Sequence, residues 1–134
     1  MERTGEIMAA NITSSIELDV PGALRRVGGD RELLCKIIDF VVEDSPQFLE
    51  RMGTALGTGD YPEVERAAHS LRGLVSNLRC EAVEEKASQI EKFARTRKRE
   101  AIATAVDDLS DLTQKMMLKI DEVRRDLTAQ GHRP

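Results

Sequence analysis

The sequence predicts an all-α protein: an antiparallel up-and-down four-helix bundle with a short N-terminal helix covering one end. Three observations carry that expectation. Apolar residues recur at three-to-four spacing through four long stretches, and no stretch alternates apolar and polar residues as a half-buried strand does. The composition favours helix, with Ala, Leu, Glu, Lys and Arg abundant, 33% of residues charged and only 3% aromatic. The segments between the stretches are short, so neighbouring helices have no chain to spare for a crossover. At 134 residues, 40% of them hydrophobic, the chain is the size of one domain with one core.

Residues 1–17 are polar and aperiodic and are expected to form a flexible arm, with the bundle spanning 18–128. Asp19 is placed to cap a short helix over 20–27, with Pro21 in its first turn and Gly28-Gly29 to stop it. Asp30 caps the first long helix, whose apolar positions include Leu33, Leu34, Ile37, Ile38, Val41, Phe48, Leu49, Met52 and Leu56. Pro46 interrupts this pattern and is expected to kink or locally break the helix over 42–45. Gly53, Gly57 and Gly59 are expected to fray its end. Asp60-Tyr61-Pro62-Glu63 combines a cap, an early Pro and an acid three residues on, close to a capping box, and opens a helix running towards Leu78. A turn at Arg79-Cys80 leads into a third long helix over 81–96, striped by Val83, Ala87, Ile90 and Ala94. The basic residues at 95–99 close it, where cations complement the helix dipole. The last helix, over 100–127, keeps Ile102, Val106, Leu109, Met116, Ile120, Val123 and Leu127 on one side. Residues 129–134 are expected to be a tail, which holds the second histidine, His132.

Charge and composition exclude several classes of function. The net charge of −4 argues against a nucleic-acid binder, which needs a basic surface. The longest apolar run, 37–42, is short and interrupted by Asp39, so no membrane-inserting helix is expected. No apolar leader precedes residue 15, which leads to the expectation of a cytoplasmic protein. Cys35 and Cys80 have neither metal-ligand spacing nor a disulfide framework and are expected to be two buried thiols in a reducing compartment.

The chemistry concentrates on the helix that opens at Asp60. At about 100° per residue, Val64, Ala67, Ala68, Leu71, Leu74, Val75 and Leu78 share one face. Glu65, Arg66, His69, Ser70, Arg72, Gly73, Ser76 and Asn77 share the other. His69 therefore sits near the middle of the wet face, with Arg72 and Gly73 as its neighbours one turn on. Inside a helix, Gly73 costs about 1 kcal/mol relative to Ala, so something other than helix stability favours a bare spot beside the ring.

A solvated surface histidine is the common outcome for such a residue. A metal site needs partners, and Glu65 is the sole local one, without the paired Glu-x-x-His of di-iron bundles. A hydrolytic triad needs a nucleophile on a strand-turn-helix elbow, for which a helical chain has no place. Phosphorylation of the imidazole accounts for more. The neutral ring has a free lone pair near neutral pH and attacks phosphorus without a general base. The phosphoryl group spreads charge over three oxygens, and Arg72 is spaced to meet them with charge-assisted hydrogen bonds. Gly73 removes bulk where a partner's active site would close over the ring.

His69-Ser70-Leu71-Arg72-Gly73 resembles the signature of histidine-containing phosphotransfer (HPt) domains, usually His-x-Leu-Lys-Gly. The similarity extends over residues 18 to 125. Leu24-Arg25-Arg26-Val27-Gly28-Gly29-Asp30 resembles the family's approach to its first long helix. Phe40 and Asp44-Ser45-Pro46 resemble the segment within it, and Ala68 and Asn77-Leu78 fit on either side of the motif. Three departures stand out. Arg72 replaces the usual Lys, keeping the charge on a larger, planar group. Leu74 and Val75 replace residues that are often small. Arg79-Cys80 stands where the family often has Gly-Ala, which implies a rebuilt turn or a modest loss of stability. Glu91 aligns roughly with a polar position that in relatives often faces the histidine, where it could orient the imidazole or simply be solvated.

The resemblance implies a monomeric phosphocarrier in a multistep two-component phosphorelay rather than an enzyme with its own ATP site. His69 would take the phosphoryl group from an aspartyl phosphate on one receiver domain and pass it to another. The partners would be receiver domains of response regulators, of a hybrid histidine kinase, or of both. No cofactor is expected on this chain, and magnesium would belong to the receiver. Two other readings remain. The dimerisation and phosphoacceptor region of a histidine kinase usually has an acid just after its histidine and a Pro a few residues on; here Ser70 follows, with no Pro through Asn77. A structural interaction bundle that has lost phosphotransfer would have no need of His69, Arg72 and Gly73 together.

Overall fold

The first three helices each start at an aspartate. In the computed structural model, which describes residues 16–131, α1 spans Val20–Arg26 and the Asp19 carboxylate accepts from the Gly22 amide at 2.9 Å. Helix α2, Arg31–Thr58, is capped by Asp30 accepting from the Leu33 amide at 3.0 Å. Helix α3, Tyr61–Val75, is capped by Asp60 accepting from the Glu63 amide at 3.2 Å. These bonds satisfy amides that a helix N-terminus otherwise leaves without partners. The reciprocal half of the expected capping box is replaced: the Glu63 carboxylate is drawn to Arg51 and Arg66, each at 3.2 Å. Gly28, Gly29 and Gly59 adopt left-handed backbone angles, φ 66°, 79° and 75°, and end the helices before them.

Helix α3 continues as a 3-10 turn, Ser76–Leu78, and leads into α4, Glu81–Arg95, and α5, Arg99–Gly131. The molecule is all-helical, with no strand among the described residues. Helix α3 packs between α2 and α4, and α5 closes the ring by packing on both α4 and α2. Helix α1 rests on the 3-10 turn and on α2. Leu34, Ile38, Val41 and Met52 of α2 meet Val64, Leu71 and Val75 of α3, Val83 and Ile90 of α4, and Ile102, Leu109, Met116 and Ile120 of α5, all at most 1% exposed. Burying each such side chain contributes about 1.5–3 kcal/mol, and this core is what holds α3 and α4 side by side. No helix among the described residues is long and apolar enough to cross a membrane.

Several expectations change. Pro46 does not break α2, which is continuous across it. The ring removes one backbone bond on the exposed side, while Val41, Ser45 and Met52 stay buried on the same inner face and hold the two halves in register. Gly53 and Gly57 do not fray the helix, which ends only at the left-handed Gly59. Leu33 is 42% exposed, and its neighbour Leu34 takes the core position. Leu74 is likewise half-buried, as are Val106 and Val123. Cys80 is buried, which pushes its thiol up, but Cys35 is only half-buried. Of the expected arm, residues 1–15 lie outside the described residues, and Ile16, at 1% exposed, belongs to the core. Helix α5 meets no Gly or Pro before Gly131, so it runs through residues 129–131 of the expected tail. His132 lies outside the described residues.

Arg79 takes the left-handed conformation itself, at φ 56° and ψ 47°. For a residue with a Cβ that geometry costs about 1–2 kcal/mol. Its ion pair with Asp19, at 3.3 Å and half-exposed on both sides, offsets little of this. Arg79→Gly is therefore expected to raise the denaturant midpoint, by roughly 0.5–1 kcal/mol after the greater backbone entropy of Gly is counted. A lower midpoint in the glycine variant would show that the Asp19 pair outweighs the strain.

Candidate functional site

The site lies where α3 and α4 pack. The amphipathic division of α3 is as the periodicity predicts: Val64, Ala67, Ala68, Leu71, Val75 and Leu78 are buried, while Arg66, His69, Ser70 and Gly73 are exposed. The His69 side chain is 68% exposed. Across the helix interface, Glu91 of α4 is 3% exposed, a buried carboxylate beneath an open ring.

Glu91 is held from two sides. Arg72 donates from Nε to Glu91 Oε2 at 2.6 Å and from Nη2 to Oε1 at 3.4 Å. His69 Nδ1 lies 3.1 Å from Oε1. Burial acts to raise the Glu91 carboxyl, but the hydrogen bonds from Arg72 and His69 outweigh it and hold the group below the ordinary carboxylate range. The same bond raises the Arg72 guanidinium. An ionised Glu91 accepts only, so a hydrogen bond from the ring to Oε1 requires the tautomer with its proton on Nδ1. Arg72 Nη2, 3.1 Å from Nδ1, then touches an N–H rather than a lone pair. That tautomer leaves Nε2 with the ring's free lone pair on the exposed side.

Two further charges complete the cluster. Arg95, in the last turn of α4, donates from Nε to Glu65 Oε2 at 2.6 Å and brings Nη2 to 4.0 Å from Glu91 Oε1. Glu65 stands one turn before His69 on α3, so the carboxylate considered above as a metal partner is engaged by a guanidinium. Gly73 is exposed, and a Cβ built there meets nothing within 4 Å. The structure thus brings His69, Arg72 and Glu91 into one bonded set with Gly73 as bare surface beside it. Sequence reading weighed Glu65 only as a metal partner and Arg95 only as part of a basic helix end, and placed neither in this cluster. Their signal was present as two i, i+4 pairs, Glu65 with His69 and Glu91 with Arg95. What was not legible is which face of α4 meets α3.

Chemically, the arrangement offers an exposed imidazole nitrogen nucleophile, a buried carboxylate that fixes its tautomer, and guanidinium groups on both sides. A family model described as the Hpt domain matches residues 36–128. The crystal structure of histidine-containing phosphotransfer protein B (HptB) from Pseudomonas aeruginosa PAO1 is similar, with a TM-score of 0.75 over 81% of this chain and 95% of that one. At 19% sequence identity, that likeness is one of fold. No curated protein matches the chain.

Proposed function

The chain belongs to the Hpt domain family, and from that premise we propose that it carries a phosphoryl group on His69 between aspartates of receiver domains in a multistep two-component phosphorelay. The observation that supports this most is the bonded set of His69, Glu91 and Arg72 with Nε2 left outward. In the forward step Nε2 attacks the phosphorus of a receiver's aspartyl phosphate. The N–P bond forms as the P–O bond to the aspartate breaks, and the aspartate leaves as a carboxylate. Nδ1 keeps its proton, so the ring gains positive charge, and Glu91 is placed to accept a stronger hydrogen bond from it. The reverse step returns the phosphoryl group to a second receiver.

Arg72 stabilises the phosphoryl oxygens with donors it does not use on Glu91. Magnesium and most of the transfer chemistry belong to the receiver, and the module needs no cofactor of its own. It acts as a monomer in the cytoplasm, with receivers of response regulators or of a hybrid kinase as partners. The four long helices run antiparallel, up and down, because only Gly59 and Asp60 separate α2 from α3 and only residues 96–98 separate α4 from α5. Helix α1 covers one end.

Incubation with a panel of phosphorylated receiver domains tests the reading. One acid-labile phosphoryl group per chain, bonded to Nε2 by phosphorus–nitrogen NMR, is expected. Failure of every receiver to label the chain, or attachment at Nδ1, would reject it.

Gly73 allows a separate test. Because its surroundings are open, Gly73→Ala is expected to stabilise the helix by up to about 1 kcal/mol. If the bare spot serves docking, the same variant takes label more slowly. Unchanged or faster labelling would leave Gly73 without a docking role.

A further inference from the structure

The two guanidiniums that flank His69 are held very differently. Arg72 makes two bonds to Glu91, which is 3% exposed; drawing it away would strand a buried carboxylate. Arg95 makes one bond, to Glu65, in a pair whose side chains are 58% and 33% exposed. Such a surface pair contributes little to stability. Before phosphorylation the four charges balance, Glu65 and Glu91 against Arg72 and Arg95. Phosphorylation adds roughly two negative charges on the phosphoryl group, beyond what the ring's single positive charge offsets. The cation that costs least to release is the one on the surface pair. Its guanidinium already reaches across the groove to within 4.0 Å of the carboxylate beneath the ring.

We propose that Arg95 is a second phosphate-directed residue, parked on Glu65 while His69 is free and transferred to the phosphoryl oxygens when His69 is phosphorylated. Glu65 is then a positioning residue that competes with the phosphoryl group for the same guanidinium. Arg72 does not take this part, since it serves the site without leaving Glu91. The proposal rests on His69 being the phosphoacceptor and names a regulation of that same site.

The test uses the full chain and phosphoramidate as a small phosphoryl donor. The N–P bond of phosphoramidate breaks, the Nε2–P bond forms and ammonia leaves. The phosphorylated-to-free ratio of the chain is read at a fixed ratio of phosphoramidate to ammonium for four proteins: wild type, Glu65→Gln, Arg95→Gln and the double variant. Glu65→Gln is expected to raise the ratio, and Arg95→Gln to lower it, each by about fivefold, the size of one half-exposed ion pair. Simple charge removal gives the same two signs, so the double variant decides. Competition for Arg95 makes Glu65→Gln nearly silent once Arg95 is gone, leaving the double variant within about twofold of Arg95→Gln. A double variant back at the wild-type ratio means independent charges and overturns the proposal. So do two single variants that move together or not at all, the behaviour of a structural pair. Nitrogen NMR adds a direct readout: the Arg95 Nε–H resonance is expected to shift on phosphorylation of the wild type, and an unmoved resonance also overturns it. If instead the label persists in His69→Gln, it is the phosphoacceptor assignment that fails.

Discussion

His69→Gln is expected to abolish acid-labile labelling by a phosphorylated receiver domain while leaving helical content and the unfolding midpoint close to those of the wild type. The first half follows from chemistry: a carboxamide nitrogen has no lone pair able to attack phosphorus. The second follows from placement. The ring is 68% exposed, so its loss opens no cavity in the core. A Gln amide can still donate to Glu91, and Arg72 continues to neutralise that carboxylate. The expected change in stability is under about 1 kcal/mol, as for surface substitutions generally. Circular dichroism and denaturant unfolding check the fold, and label retention after acid and base treatment checks the chemistry. Label that persists in this variant would sink the assignment and direct attention to His132 or another nucleophile.

Arg72→Ala is expected to reduce both rate and stability, for separable reasons. Charge on the transferring oxygens loses a preorganised donor. In a closed site such a loss costs about 2.7–4 kcal/mol; at a wet interface where the receiver supplies its own cation, roughly 1–2 kcal/mol is expected, or about 5- to 30-fold in labelling rate. Stability falls because Glu91 keeps its burial and loses its main partner, leaving Arg95 at 4.0 Å as the nearest cation. Removing one partner of a buried charge costs about 3–5 kcal/mol; Arg72 is 39% exposed, so about 1–3 kcal/mol is expected.

The pH dependence separates this loss from a general packing defect. In the wild type, Glu91 is held below the ordinary carboxylate range when folded, so its contribution is present at neutral pH and is lost as pH falls through that range. Without Arg72, burial dominates and raises the carboxyl. The gap between wild type and Arg72→Ala is therefore widest near neutral pH and narrows in acid. Unfolding curves at neutral and acid pH measure it; a gap independent of pH would assign the loss to packing of the arginine stem. Arg72→Lys keeps the charge and is expected to recover most of the rate. It recovers less of the stability, because one ammonium cannot reproduce the Nε and Nη2 bonds to Glu91.

The helices and their inner faces were legible in the sequence because helix formation is local. Three-to-four periodicity selected Val64, Ala67, Leu71 and Val75 as core and His69, Ser70 and Gly73 as surface, and the structure keeps that division. Asp19, Asp30 and Asp60 announced three helix starts because capping joins residues three apart. Where local rules competed with burial, they misled: Pro46, Gly53 and Gly57 stay inside α2 because its inner face is packed along its whole length. At Arg79 the local rule held: the turn that links two packed helices keeps its left-handed geometry, at the modest cost in stability expected of an arginine there.

What the sequence by itself determined is a chain of amphipathic helices with one histidine, one arginine and one glycine exposed a turn apart. That much depends on spacing, which any helix realises. What only the tertiary structure decided is the state of that histidine. Glu91 lies 22 residues from His69, and its spacing says nothing of whether it is solvated or buried. The packing of α4 on α3 buries it, Arg72 keeps it ionised, and its acceptor oxygen favours the proton on Nδ1, the tautomer with the Nε2 lone pair outward. Arg95 and Glu65 join the site by the same packing, 30 residues apart in the chain and 2.6 Å apart in space. Electrostatic pairing depends on distance and burial, and both are set by how helices pack rather than by the pattern along any one of them.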